Sequence, residues 1–170
     1  MSFLETLAKI GKSVMKTAME EGAKRQARET EAQLKEAGHV SARGEVLYGG
    51  RTLSEWNRMW ESIGPLASAH LTPYNRSVGL YRHWYQGRVV YIGRAIELHN
   101  GGFRKRLSDY RRDSDSGRKH TSGQRIYNHL NDIKTDVLVV GNDEEAVEWT
   151  KRLEAAFISR EQPEWNAFLK

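Results

Sequence analysis

The chain contains 170 residues, with 27 Lys and Arg against 22 Asp and Glu, a formal net charge of +5 and no cysteine. This length suits one functional unit with a core and an appended segment, and a chain without cysteine has neither disulfides nor thiolate metal sites. No apolar run approaches the roughly 20 residues of a membrane span, and no signal peptide is recognisable, so we expect no membrane partner. A cytoplasmic location is predicted, and export by a specialised secretion route is compatible with the same sequence.

Residues 1–40 are predicted to form an amphipathic helical extension. Apolar residues recur along one helical face at spacings of four, three and four: Phe3, Leu7, Ile10 and Val14. Basic and acidic residues nearly balance in this segment, whereas a membrane-surface helix would need an unbalanced basic face. We therefore expect the stripe to pack on the domain or on a partner protein, and the helix is a candidate dimer element.

Residues 41–76 are predicted to be a glycine-rich linker with a short accessory helix. Thr52 and Glu55 have the spacing of a capping box. Leu53, Trp56 and Trp60 would then fall along one face of the helix that follows. The favoured interpretation is a helix that buttresses the core, and a small accessory reader of nucleic acid is the alternative.

Residues 77–170 carry the sharpest patterns. The runs SVGLYRHWY and RVVYIGRA predict a β-hairpin, and FRKRLSDYRRD predicts a basic helix. After the polar loop SDSGRKHTSGQ, the run RIYNHLNDI is predicted to be helical and DVLVV to be a buried strand. A last helix should begin with a capping box at Asn142 and Glu145 and stop before Pro163. This order of elements predicts a compact mixed α/β domain.

The hairpin places a tyrosine and a glycine at matching points of both strands. Gly79, Leu80 and Tyr81 stand on the first strand, and the second strand carries Tyr91, Ile92 and Gly93. Cross-strand packing is the plain explanation. The two triplets nevertheless resemble the motifs of the GIY-YIG nuclease domain, with a conservative departure at Leu80. The downstream residues agree with that family in order: Arg106 and Tyr110 on the basic helix, Glu154 on the last helix, and Asn166 after Pro163.

The resemblance implies an α/β (α+β) fold, a small central antiparallel sheet flanked by helices, here with a helical N-terminal extension. It also implies a metal-dependent endonuclease. Glu154 would hold Mg²⁺ or Mn²⁺, and Arg106 would stabilise charge on the phosphate in the transition state. Tyr81 would be the general base acting on water and Tyr91 its partner, although these two roles are exchangeable. Glu145 and Glu148 are the competing carboxylates on the same helix.

Nucleic acid is the predicted partner, with DNA favoured over RNA. From Arg94 to His129 there are nine Lys and Arg against four acids, a net charge of +5 beside the proposed catalytic hairpin. The candidate substrate-binding residues are Gly93, Arg94, Arg104, Lys105, Tyr110, Arg118, Lys119, His120 and Asn166. The competing function is a binding module that keeps the scaffold without turnover. Repair, restriction, a mobile element and an antibacterial toxin are all compatible settings.

Overall fold

The computed structural model describes residues 3–112 and 121–168. The helices are α1 (Phe3–Glu36), α2 (Leu53–Asn57), α3 (Gly102–Asp109), α4 (Thr121–Asn128) and α5 (Glu144–Glu161). The strands are β1 (Leu47–Tyr48), β2 (Arg51–Thr52), β3 (Glu61–Pro65), β4 (Val78–Tyr85), β5 (Arg88–Ala95) and β6 (Lys134–Gly141). Short 3₁₀ turns lie at Thr72–Tyr74 and Glu164–Phe168. The predicted α+β fold with an N-terminal helix is confirmed.

The main sheet is antiparallel throughout, with the strand order β3-β6-β4-β5. The hairpin of β4 and β5 turns through Gln86 and Gly87, both at positive φ, as in a two-residue type I′ turn. In its register Tyr81 lies opposite Gly93, and His83 lies opposite Tyr91. The hairpin therefore brings both predicted motifs side by side.

The two faces of the sheet carry different clusters. Leu80 and Ile92 pack on one face with Leu153 and Phe157 of α5, and that cluster also includes Leu34 of α1. On the opposite face, the hairpin tyrosines pack with residues of α3 and α4: Tyr81, Tyr91, Phe103, Leu107 and Ile126. Because β4 is interior in the sheet and covered on both faces in its first half, residues 78–81 are all buried instead of alternating between buried and exposed.

The predicted accessory helix is shorter than expected. The capping box is confirmed, because Thr52 Oγ1 accepts a hydrogen bond from Glu55 N and Glu55 Oε2 accepts one from Thr52 N. The prediction that Trp60 lies on the same helix is wrong, since α2 ends at Asn57. The chain then extends into β3, which pairs with β6 as an edge strand and includes a register shift at Gly64. The segment 41–76 thus supplies a strand of the main sheet.

Two further helix boundaries differ from the predictions. The N-cap of α5 is Asp143, whose Oδ1 accepts a hydrogen bond from Ala146 N at 2.8 Å, one residue later than Asn142. The helix predicted over RIYNHLNDI begins earlier, at Thr121, and ends at Asn128. Residues 129–132 form turns that lead into β6. Most of the predicted polar loop lies outside the described residues.

The long helix α1 packs through its second half only. Ala27 and Leu34 are buried, and the helix contacts α5 and the last 3₁₀ turn. The apolar residues of the first half are all exposed: Phe3, Leu7, Ile10 and Val14. The expectation that this stripe packs on the domain is therefore wrong, and a contact with a partner stays a prediction. Within 3–112 and 121–168, every helix is too short or too polar to cross a bilayer.

Candidate active site

One cavity of about 790 Å³ collects most of the predicted site residues. They reach it from both hairpin strands, α3, α5 and the last 3₁₀ turn: Tyr81, Tyr91, Arg94, Arg106, Tyr110, Glu154 and Asn166. These residues are separated by up to 85 positions along the chain, so the fold, and not sequence proximity, brings them together. The other walls include residues of α1.

Three tyrosines form a buried hydroxyl cluster on this cavity. The Oη atoms of Tyr81 and Tyr110 lie 2.8 Å apart, and the Tyr91 ring centroid is 6.1 Å from that of Tyr81. Burial raises the pKa of all three phenols well above 10. For Tyr81, burial and the neighbouring Tyr91 raise the pKa, while the charge of Arg106 and the hydrogen bond with Tyr110 oppose this rise. Of the two hairpin tyrosines, Tyr81 thus has the environment that better supports a phenolate.

Gly93 is required by the close approach of the two tyrosines. A Cβ at this position would lie 2.5 Å from both Cζ and Oη of Tyr81, and 2.8 Å from Cε1 of Tyr91. The space that a side chain would take is therefore filled by the Tyr81 ring, and the predicted contact of Gly93 with substrate stays a prediction. Any larger residue would displace the hydroxyl cluster.

Arg106 projects from α3 and is held by Glu97. Its Nη2 donates a hydrogen bond to Glu97 Oε1, and its buried Nε has no partner among the described residues. Burial lowers the pKa of the Arg106 guanidinium, but its neighbours Tyr81 and Glu97 raise that pKa by more. The pKa of Arg106 is therefore raised overall. The guanidinium therefore stays charged beside the cavity, and Nε is among its N–H donors that are not used by Glu97. Sequence reasoning missed Glu97, which has no motif of its own and lies between β5 and the turn that leads to α3.

Glu154 projects from α5 and forms an ion pair with Arg94. Glu154 Oε2 accepts a hydrogen bond from Arg94 Nη1 at 2.7 Å. Burial raises the pKa of the Glu154 carboxyl, and Arg94 only partly offsets this effect. The competing carboxylates are exposed and lie outside the cavity: Glu145 accepts from Trp149 Nε1, and Glu148 pairs with Lys151.

The donor set around Glu154 fits one hard divalent cation. No group of three or more His, Cys, Asp or Glu side chains that could hold a metal occurs in 3–112 or 121–168. A single carboxylate with open space beside it instead suits Mg²⁺, which keeps several waters and is completed by phosphate oxygens. A cation would also relieve the cost of burying the Glu154 charge, because it adds a positive neighbour.

The Asn166 side chain forms two hydrogen bonds with the edge strand of the sheet, β5. Its Oδ1 accepts from Ile92 N at 2.8 Å and its Nδ2 donates to Ile92 O at 2.7 Å. The amide thus pairs with the outer side of β5 as a neighbouring strand would, directly between Tyr91 and Gly93. This contact explains how an asparagine after Pro163 supports the site without being part of a regular element.

Replacement of Asn166 with leucine should destabilise the fold. The substitution removes both hydrogen bonds to Ile92 and leaves two buried backbone groups without partners, so the free energy of unfolding should fall by about 3 kcal/mol. Urea denaturation followed by tryptophan fluorescence measures this change. The exposed Asn100→Leu variant is the matched control and should stay within about 0.5 kcal/mol of the parent chain. Equal stability of the two variants would contradict the bracing role.

The remaining predicted substrate-binding residues lie outside this cluster. Arg104 donates to Asn75 Oδ1 and Lys105 pairs with Asp109, and neither lines the cavity. Their contact with substrate stays a prediction. Arg118, Lys119 and His120 lie outside the described residues.

His83 lies beside the hairpin tyrosines in the core. It is fully buried, its ring stacks on Tyr91 at 5.8 Å, and its Nδ1 lies 2.9 Å from Thr135 Oγ1. Burial lowers its pKa to about 3, so the imidazole is neutral at physiological pH. The alternation of Tyr81 and His83 along β4 was the signal for their shared face. The residue packs against the hairpin tyrosines Tyr81 and Tyr91 and adds no charge.

The antiparallel hairpin with paired tyrosines, the arginine of α3 and the glutamate of α5 together define a nuclease-type domain of the GIY-YIG class. Residues 77–167, just over half of the chain, match the UvrC-like GIY-YIG domain, and the chain belongs to this family. The family indicates nuclease activity in general terms. Searches of curated proteins and of solved structures gave no significant match.

Proposed function

We propose that the chain is a metal-dependent endonuclease that hydrolyses phosphodiester bonds of nucleic acid, with DNA as the favoured substrate. The observation that carries this proposal is the convergence of Tyr81, Arg106 and Glu154 on one cavity. A base, a permanent cation and a carboxylate for a metal are the parts that phosphodiester hydrolysis requires. The positive charge between Arg94 and His129 supports a polyanionic substrate.

In the proposed mechanism Tyr81 Oη accepts a proton from the attacking water. The hydrogen bond with Tyr110 and the charge of Arg106 favour the phenolate that this role needs. Water attacks phosphorus, the bond from phosphorus to the 3′ oxygen breaks, and that oxygen leaves as a hydroxyl after it takes up a proton. The products are a 5′-phosphate and a 3′-hydroxyl.

Arg106 would bind the phosphoryl oxygens as negative charge builds on them. Its planar guanidinium is held by Glu97, so it is oriented before substrate arrives. Glu154 would hold Mg²⁺ or Mn²⁺, and the ion, when bound, supplies Lewis-acid stabilisation of the phosphate. Arg94, which balances Glu154 in this structure, would then be free to contact a phosphate.

One active site per domain cuts one strand at a time. Cleavage of both strands would therefore need two visits or a dimer. The exposed apolar residues in the first half of α1 support a contact with a second copy or another protein: Phe3, Leu7, Ile10 and Val14. Repair, restriction, mobile elements and antibacterial toxins all remain suitable settings for such an enzyme.

The first test is cleavage of supercoiled plasmid by the full chain with Mg²⁺ and with EDTA. We expect nicked circles to form before linear DNA in Mg²⁺, and no product in EDTA. Glu154→Gln should need at least about tenfold more Mg²⁺ for half-maximal nicking, because it removes the charge that holds the ion. Glu148→Gln, an exposed carboxylate on the same helix, is the matched control and should behave as the parent chain.

The competing function, a binding scaffold without turnover, gives a different result. Such a protein would bind plasmid, single strands or RNA but would cut none of them with Mg²⁺ or Mn²⁺. This outcome would overturn the proposed enzyme while leaving the family assignment intact.

A further inference from the structure

The long N-terminal helix forms one wall of the catalytic cavity, although it precedes the family domain. Six residues of α1 line the same cavity as the catalytic side chains: Ala18, Met19, Glu20, Gly22, Ala23 and Gln26. Tyr81, Arg106 and Glu154 line this cavity as well. Access to the proposed reaction site therefore depends on an element that lies outside residues 77–167.

The α1 residues that line the cavity are held in place because the second half of α1 packs on the domain. Ala27 and Leu34 follow the lining residues along the helix and are buried, and α1 packs against α5 and the last 3₁₀ turn. Leu34 belongs to the same cluster as Phe157 of α5. Because α5 also carries Glu154, the position of the wall is tied to the position of the proposed metal ligand.

The size and polarity of the cavity suit one unpaired strand. A volume of about 790 Å³ lies in the range of sites that enclose a small ligand, which is room for a nucleotide but not for the two strands of a helix. The cationic residues of the lining are Arg94 and Arg106, whereas the α1 residues of the lining are uncharged except for Glu20. A phosphate would therefore lie against the arginines, with its base toward α1.

We propose that α1 makes the site selective for an unpaired strand, such as single-stranded DNA or a frayed end, over intact duplex. This inference rests on the proposed nuclease function and specifies its substrate. A duplex would have to bring both strands to a cavity that α1 bounds on one side. A base-paired substrate must therefore be opened before its phosphate reaches Arg106, and the opening has a free-energy cost.

The test uses one labelled oligonucleotide, either single-stranded or annealed to its complement, with the full chain and Mg²⁺. The single strand should be cut at least about tenfold faster than the duplex, because only the duplex must unpair. Fluorescence anisotropy in EDTA gives a second readout that does not need turnover, and the single strand should bind more tightly there too.

A pair of glycine variants on α1 locates the cause of the selectivity. Gly22→Phe fills the cavity from the α1 side, and a Cβ at Gly22 meets no described atom within 4 Å, so the helix itself tolerates the change. Cleavage and binding of the single strand should both weaken at least about tenfold, as expected when a binding cavity is filled. Gly11→Phe is the matched control, because Gly11 is exposed on the same helix with equally open surroundings and lies away from the cavity.

The outcomes separate this inference from the proposed function. Equal cleavage of duplex and single strand, or an undisturbed single-strand affinity in Gly22→Phe, would overturn the role of α1 while the nuclease stands. If neither substrate is cut but the single strand binds preferentially and Gly22→Phe abolishes this preference, the nuclease fails and the α1 selectivity is supported.

Discussion

Replacement of Arg106 with lysine is expected to lower the rate of DNA cleavage about 1,000-fold, the scale associated with arginines that neutralise a phosphate in flight. Lysine keeps the positive charge but loses the planar fork, so it cannot pair with Glu97 and present a further donor to the phosphate in the same geometry. A loss this large after a charge-conserving change would show that geometry, and not charge alone, is required.

The measurement is a single-turnover rate with saturating Mg²⁺, supported by a thermal unfolding curve. The Arg106 side chain is 40% exposed, so the variant should unfold within a few degrees of the parent chain. Arg88→Lys, at an exposed position near the hairpin turn, is the matched control and should keep the parent rate. If Arg106→Lys cleaves within threefold of the parent, the guanidinium is not the group that stabilises the transition state.

The local elements of the domain were predictable because their signals are local. The β-hairpin was visible in its aromatic and β-branched runs around Gln86 and Gly87, and the Thr52–Glu55 capping box was visible in its spacing. The strand β3 was missed because Glu61–Pro65 neither alternates nor is strongly apolar. It forms a strand because it pairs with β6, which lies more than 60 residues later in the chain.

The candidate catalytic residues could be named from the sequence, but their surroundings could not. The resemblance supplied Tyr81, Arg106 and Glu154 by position, whereas the Arg106–Glu97 pair depends on the turn between β5 and α3. Burial of the tyrosines, which sets their pKa, depends likewise on how α3 and α4 cover the sheet.

The position of α1 also depends on tertiary contacts that its own sequence does not reveal. Its most regular apolar stripe, which begins at Phe3, stays exposed, and the part that reaches the catalytic cavity is a weakly patterned stretch around Gly22. A hydrophobic period indicates that a face will be covered, but it does not say which half of a 34-residue helix meets the domain.

The second large effect concerns the Tyr81 hydroxyl. General-base catalysis contributes about 100- to 10,000-fold, so Tyr81→Phe should lower the cleavage rate at least about 100-fold. The removal of one buried oxygen leaves the ring packing on Tyr91 and His83 unchanged, and the variant should stay folded. Tyr91→Phe is the comparison that decides between the two exchangeable roles.

The expected pH dependence of the cleavage rate follows from the upward shift of the Tyr81 pKa. Burial raises that pKa well above 10, so the phenol is largely protonated at neutral pH and its reactive phenolate form increases about tenfold per pH unit below the pKa. The parent rate should therefore rise steadily between about pH 6 and pH 9, and this rise should be lost with Tyr81→Phe. If Tyr91→Phe loses the dependence and Tyr81→Phe keeps it, the two tyrosines exchange roles. If both variants keep it, the proton of the attacking water goes to a group other than these two phenols.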